Sequence, residues 1–141
     1  KINFSYGMTE GSCLGSLTRA SDIDISEKYA YESIGQGVPS IELKIVDINT
    51  NEIVPRNVNG EILIRGYNVM KGYWNDDEKT KEVKDENGWL RTRDIGYMND
   101  DGYIFFTSKA NEIIVKEGIN IYPVFAFYMN LFNFKSFEDF L

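Results

Sequence analysis

The chain has 141 residues, 43% of them apolar and 14% aromatic, which is enough to bury a core and argues against disorder; its length suits one domain or a piece of a larger one. With 22 acidic against 15 basic side chains the formal charge is −7, so a polyanion such as nucleic acid is not held by general electrostatics, and only a local basic pocket would serve an anion. The absence of histidine excludes a Ser/His/Asp triad within the chain, and a single cysteine, Cys13, excludes an internal disulfide.

The first residues, "KINFSYGMTE", have no apolar segment behind their lysine, no cleavage pattern and no initiating methionine, so the chain reads as a fragment. "INF" predicts the end of a short buried strand that turns at "SYG", and the polar stretch "TRASDIDISEKYAYES" predicts a loop. "IELKIVDI" alternates Ile41, Leu43 and Ile45 with Glu42 and Lys44, the pattern of a half-buried strand. Its hairpin turn falls in "NTNEIVPRNVNG", and the return strand "EILIRG" alternates again, with Leu63 facing away from Ile62 and Ile64. "NDDEKTKEVK" predicts a helix with Asn75 or Asp76 as its N-cap and acids in its first turn, which suits the positive end of the helix dipole. Separate short strands follow in "GWLRT", "GYM", "YIFFTS" and "EIIVK", with a turn at "NDDG". Trp74, Tyr73 and Trp89 read as core packing, and Arg65, Gly66 and Gly72 as scaffold.

"YGMTE" carries the first chemical signal. Gly7 permits close backbone approach, Thr9 offers a hydroxyl and an N–H to a phosphate, and Glu10 offers a hard oxygen to Mg²⁺. A tight turn in which Thr9 caps the next segment accounts for the same residues.

Several stretches taken together carry more. "YGMTE", "GEILIRGYNVMKGYW", "GWLRTRDIGYMNDDGYIFFTSKANEII" and "EGINIYP" resemble, in order and spacing, the adenylate-forming (AMP-binding) acyl-CoA synthetases, and "IRGYNVMKGYW" followed by "KT" most resembles their medium-chain fatty acyl-CoA synthetase branch. The resemblance covers residues 3 to 123. It implies an α/β fold of which this chain is a β-rich fragment: the end of the large adenylating domain with its distorted β-barrel subdomain over residues 1–110, then the hinge and first part of the C-terminal lid over 111–141. The implied reaction activates a fatty acid with ATP to acyl-AMP and passes the acyl group to coenzyme A, with Mg²⁺ neutralising developing charge.

By this resemblance Tyr6 lies against the adenine, Gly7 lines the nucleotide site, Thr9 contacts phosphate and Glu10 helps bind Mg²⁺. Asp94 takes the two ribose hydroxyls, Lys109 stands where the family has an arginine on the same ribose, Asn111 marks the hinge, and Gly118 lies in the lid loop near the pantetheine arm. Asp94 as a turn cap and Lys109 as a solvated charge are the plain alternatives.

The chain also departs from the family. Arg93 stands in place of a glycine, Lys109 in place of an arginine, Asn111 in place of an aspartate or lysine, and Glu117 with Gly118 in place of a glycine pair. The Ser/Thr/Gly-rich phosphate loop and the adenylation lysine of the family do not occur in this sequence, and likeness stops after Pro123. The tail that follows holds Phe125, Phe127, Phe132, Phe134, Phe137 and Phe140, fits no helix face, is too short to span a bilayer, and reads as the product of an altered reading of the gene. Two functions follow: a section of a fatty acid CoA ligase, active only when joined to the remaining parts, or a non-catalytic scaffold that binds a partner through its aromatic tail. Oligomeric state stays open, as does the compartment between cytoplasm and mitochondrion.

Overall fold

Five consecutive buried residues, Gly60 to Ile64, run through the centre of one strand. A computed structural model of the chain describes residues 4–18, 32–116 and 119–121. Three of its strands, β1 (Ser5–Tyr6), β2 (Ser16–Leu17) and β3 (Gln36–Gly37), form a small antiparallel sheet in that order. Strands β4 (Ile41–Val46), β5 (Gly60–Gly66), β6 (Leu90–Met98) and β7 (Ile104–Lys109) form a four-stranded antiparallel sheet in chain order, and β8 (Ile114–Lys116) pairs with β9 (Ile119–Ile121) in a separate hairpin. A helix, α1 (Asp77–Val83), joins β5 to β6. The architecture is the β-rich one expected, with little helix.

The β4–β5 hairpin follows the sequence closely. Ile41 pairs with Gly66 and Ile45 with Ile62, and the Asp47 carboxylate accepts the N–H groups of Asn49 and Thr50, both at 2.8 Å, to start the connecting turn. Strand β5, however, is buried on both faces: Leu63 is buried along with Ile62 and Ile64, where alternation alone predicted one wet face. β5 is an inner strand, flanked by β4 and β6, so it has no free edge. On one face Ile64 packs with Val38 and Ile41, and Ile62 with Ile45 and Ile104, while Leu43 touches both groups. Fully burying each such isoleucine contributes about 1.5–3 kcal/mol.

Helix α1 starts where the acids are. The Asp76 carboxylate accepts the Lys79 N–H at 2.9 Å, which decides the N-cap in favour of Asp76, and Asp77 and Glu78 occupy the first turn. The turn "NDDG" also forms as expected: the Asn99 side chain accepts the Tyr103 N–H at 2.8 Å, and Gly102 supplies a φ of 81°. Beyond it, Tyr97 and Phe105 face each other across β6 and β7 and stack with centroids 4.8 Å apart.

Other local expectations are corrected. "GWLRT" and "GYM" belong to one nine-residue strand, β6, whose ladder passes through a bulge instead of ending there. Within that bulge Arg93 adopts the left-handed conformation at φ 59°, and the buried Glu61 carboxylate accepts the Arg93 N–H at 3.1 Å with one oxygen and the Arg91 guanidinium at 2.6 Å with the other. The strand near the start lies on Ser5–Tyr6, and Phe4 is exposed. Trp74 is not core: it is 92% exposed. Trp89 is partly covered, with the Lys44 ammonium 4.2 Å and the Arg65 guanidinium 4.5 Å from its ring centroid, and Arg65 in turn pairs with Glu42 at 2.6 Å. Residues 19–31, Glu117, Gly118 and the tail after Pro123 lie outside the described residues. No helix among the described residues is long and apolar enough to cross a membrane.

Candidate functional site

The "YGMTE" segment folds back on itself before it meets anything else. After β1 the backbone turns through a single 3₁₀ turn, Thr9–Gly11, and a Cβ on Gly7 would stand 2.3 Å from the carbonyl carbon and oxygen of Cys13. The close approach that Gly7 permits is therefore made by the chain itself. Ser12 and Cys13 follow with φ of 50° and 64° and return the strand to β2. From the other side Asn68 donates its amide N–H groups to the carbonyls of Gly11 at 2.8 Å and Leu14 at 2.5 Å, and the Met70 N–H bonds the Glu10 carbonyl at 2.7 Å. Glu10 thus has its backbone fastened to the segment after β5, while its side chain receives the Tyr73 hydroxyl at 2.8 Å.

A second cluster joins the beginning of the chain to β6 and β7. Asp94 lies opposite Lys109 in the ladder and is 6% exposed. Its Oδ2 accepts the Tyr6 hydroxyl at 2.6 Å and its Oδ1 accepts the Lys109 ammonium at 3.0 Å. Burial, and then the hydrogen bond to Asp94, push the Tyr6 phenol far above the ordinary tyrosine range. The Tyr73 phenol is also raised, chiefly by its bond to the Glu10 carboxylate.

Between these clusters lies a cavity of about 310 Å³, lined among the described residues by Glu10, Tyr73, Lys79, Arg93, Lys109 and Asn111, together with parts of β6. Glu10, Lys109 and Asn111, all singled out in the sequence, therefore share one cavity. Asn111 sits in the short 3₁₀ turn Ala110–Glu112 that leaves β7. Asp94 and Tyr6 are not among the lining residues, but Lys109, which is, donates to the Asp94 carboxylate at 3.0 Å. The Lys109 side chain is 57% exposed. Thr9 is exposed, and its hydroxyl makes no hydrogen bond to the described residues, so it caps nothing there. Gly118 is outside the described residues.

Tyr73 and Lys79 are among the lining residues to which the sequence assigns no site role. Tyr73 was taken for core, although its position within "MKGYW" was noticed. Lys79 lay unremarked on the predicted helix, yet its spacing of four from Val83 places both on one helix face, and both line the cavity.

No group of three or more Asp, Glu, Cys or His side chains converges among the described residues. Glu10 offers a single carboxylate, which fits Mg²⁺ only in the manner typical of that ion, bound by one or two carboxylates with phosphate and water completing the shell. Asp94 already receives one donor on each oxygen, and a carboxylate has about four acceptor positions, so places for two hydroxyls remain.

Comparison with known proteins identifies the family. The family model described as AMP-binding enzyme matches residues 2–74. A 4-coumarate–CoA ligase 1 of Petroselinum crispum is 42% identical over 125 residues, covering 87% of this chain and 22% of that protein. The ATP-bound structure of MatB from Rhodopseudomonas palustris superposes with a TM-score of 0.78 at 27% identity, covering 86% of this chain and 23% of that one. The o-succinylbenzoate CoA synthetase MenE from Bacillus subtilis, in complex with the acyl-adenylate intermediate OSB-AMP, gives a TM-score of 0.75 at 30% identity over 86% of this chain and 24% of that one. The chain spans about a fifth to a quarter of the length of these relatives. With the β-rich fold, the sequence motifs and the family model in agreement, the chain belongs to the AMP-binding enzyme family.

Proposed function

We propose that this chain is a section of an ATP-dependent acyl- or aryl-CoA ligase, which joins a carboxylate to AMP and then transfers the acyl group to the thiol of coenzyme A. The observation that carries the reading is the buried Asp94, tied to Tyr6 and Lys109 beside the cavity that holds Glu10. A buried carboxylate with spare lone pairs is suited to a vicinal pair of hydroxyls such as those of ribose, and Lys109 would move from Asp94 toward the sugar as it binds. Tyr6 holds the carboxylate in place through its hydroxyl, and by the family resemblance its ring would lie toward the base. Thr9, with its free hydroxyl, would take a phosphate oxygen, and Glu10 would be one ligand of Mg²⁺ among phosphate oxygens and water. Asn111, in the turn after β7, would be the hinge between a body over 1–110 and a lid beginning at 111 to which Gly118 belongs.

The carboxylate substrate proposed is a fatty acid, as the "IRGYNVMKGYW" motif suggests, with 4-coumarate, named for the Petroselinum crispum relative, as its competitor. Equilibrium dialysis of the 141-residue chain against labelled ATP tests the nucleotide part. Saturable binding that Asp94→Ala abolishes is expected; no saturable binding, or equal binding by the variant, overturns it. Acyl-AMP formation by a longer protein containing this section, assayed with a fatty acid and with 4-coumarate, then decides the acid.

A further inference from the structure

The cavity carries positive charge against the trend of the chain. The protein as a whole is at −7, yet the described lining includes Lys79, Arg91, Arg93 and Lys109 against the single carboxylate of Glu10. Two of these cations are already matched, Arg91 by Glu61 at 2.6 Å and Lys109 by Asp94 at 3.0 Å. Lys79 places its ammonium over the Tyr73 ring, 5.0 Å from the centroid. Arg93 forms no ion pair with a described residue, and its backbone N–H alone is tied down, by Glu61.

Arg93 is also held there at a conformational cost. A left-handed backbone is strained in a residue with a Cβ, and it persists because the buried Glu61 fastens both Arg91 and the Arg93 N–H across the bulge. The guanidinium is near enough to Tyr73 that its charge opposes the upward pull of Glu10 on that phenol. The result is an exposed, unmatched, fork-shaped cation at a cavity wall, with a second ammonium on α1.

We propose that Arg93 is a polyphosphate-binding residue, its guanidinium taking two oxygens of the phosphate chain of a nucleotide in this cavity while Lys79 supplies the second charge. The proposal rests on the AMP-binding reading for the identity of the nucleotide, but the anion chemistry follows from the lining alone. With Arg91 and Lys109 already paired, Lys79 and Arg93 face the Glu10 carboxylate alone among the described lining, which leaves a net positive charge that an anionic ligand would balance. The planar fork matches adjacent phosphate oxygens in a way an ammonium cannot. At about 310 Å³ the cavity is at the small end for a ligand site, which suits a phosphate chain better than a whole nucleotide.

Titration calorimetry of the 141-residue chain, Arg93→Gly and Arg93→Lys with inorganic tripolyphosphate and, separately, with adenosine tests this. A glycine suits the left-handed position, so the variant keeps its fold, which a melting curve checks. Tripolyphosphate affinity is expected to fall about tenfold or more in Arg93→Gly and less in Arg93→Lys, with adenosine unaffected. Tripolyphosphate binding that requires Arg93 while adenosine fails to bind would support the anion site and count against the nucleotide reading. The proposal is overturned if the unaltered chain does not bind tripolyphosphate, or if Arg93→Gly binds it equally well.

Discussion

The hydroxyl of Tyr6 donates to the carboxylate of Asp94 at 2.6 Å across 88 residues of chain, and this bond closes the short β1–β3 sheet onto the four-stranded one. It also ties stability to pH. The folded state holds the Tyr6 proton more tightly than the unfolded chain, because the phenol is buried and bonded to a carboxylate. Below about pH 10 both states are protonated and the contribution is complete; above it the unfolded chain loses the proton first, binds fewer protons than the folded one, and stability falls as pH rises. Tyr6→Phe should flatten this alkaline slope. Urea unfolding of both proteins between about pH 9 and 11 checks it, and parallel slopes would contradict the assignment.

Asp94→Ala leaves the Tyr6 hydroxyl without an acceptor in a mostly buried place, while the exposed Lys109 ammonium rehydrates. The expected loss is about 1–3 kcal/mol. Asp94→Asn, which keeps one acceptor oxygen, should lose less. Denaturant midpoints at pH 7 rank the three proteins, and an alanine variant as stable as the original would show that the pair contributes nothing.

Arg93→Gly should be more stable than the original chain by roughly 0.5–1 kcal/mol, the relief of left-handed strain less the extra backbone entropy of glycine. Differential scanning calorimetry would see it as a raised melting temperature. The φ of 59° is a requirement of the bulge that the strand pattern of "GWLRT" does not display.

Asn68 anchors the Glu10 turn through two carbonyls, so Asn68→Ala should cost roughly 1–3 kcal/mol. It should also speed hydrogen exchange at the Cys13 N–H, which bonds the Met8 carbonyl inside that turn. Unchanged exchange there would mean the turn holds without Asn68.

Gly7→Ala tests the same turn by crowding. The added methyl would meet backbone at 2.3 Å, and backbone cannot swing aside as a side-chain end can. A loss of about 1–3 kcal/mol is expected in urea unfolding, and a neutral result would show that the Cys13 segment can move away.

How much of this was legible beforehand depends on the range of each interaction. The β4–β5 hairpin, the Asp76 cap and the "NDDG" turn rest on residues near each other in sequence, so period-2 alternation and cap chemistry were enough to find them. Family membership was legible because four motifs recur in order. The burial of Leu63, the continuity of β6 through its bulge and the exposure of Trp74 were decided by which strands and segments come to lie alongside, information no local pattern carries. The candidate site divides the same way. Sequence named Tyr6, Glu10, Asp94, Lys109 and Asn111 one by one, but only the tertiary structure paired Lys109 with Asp94 at the cavity, brought Tyr73 to Glu10 across 63 residues, and set Arg93 on the wall without an ion pair among the described residues. Residue types are fixed locally by the chain, whereas burial, hydrogen-bond partners and charge balance arise from groups distant in sequence and exist only once the sheets have closed.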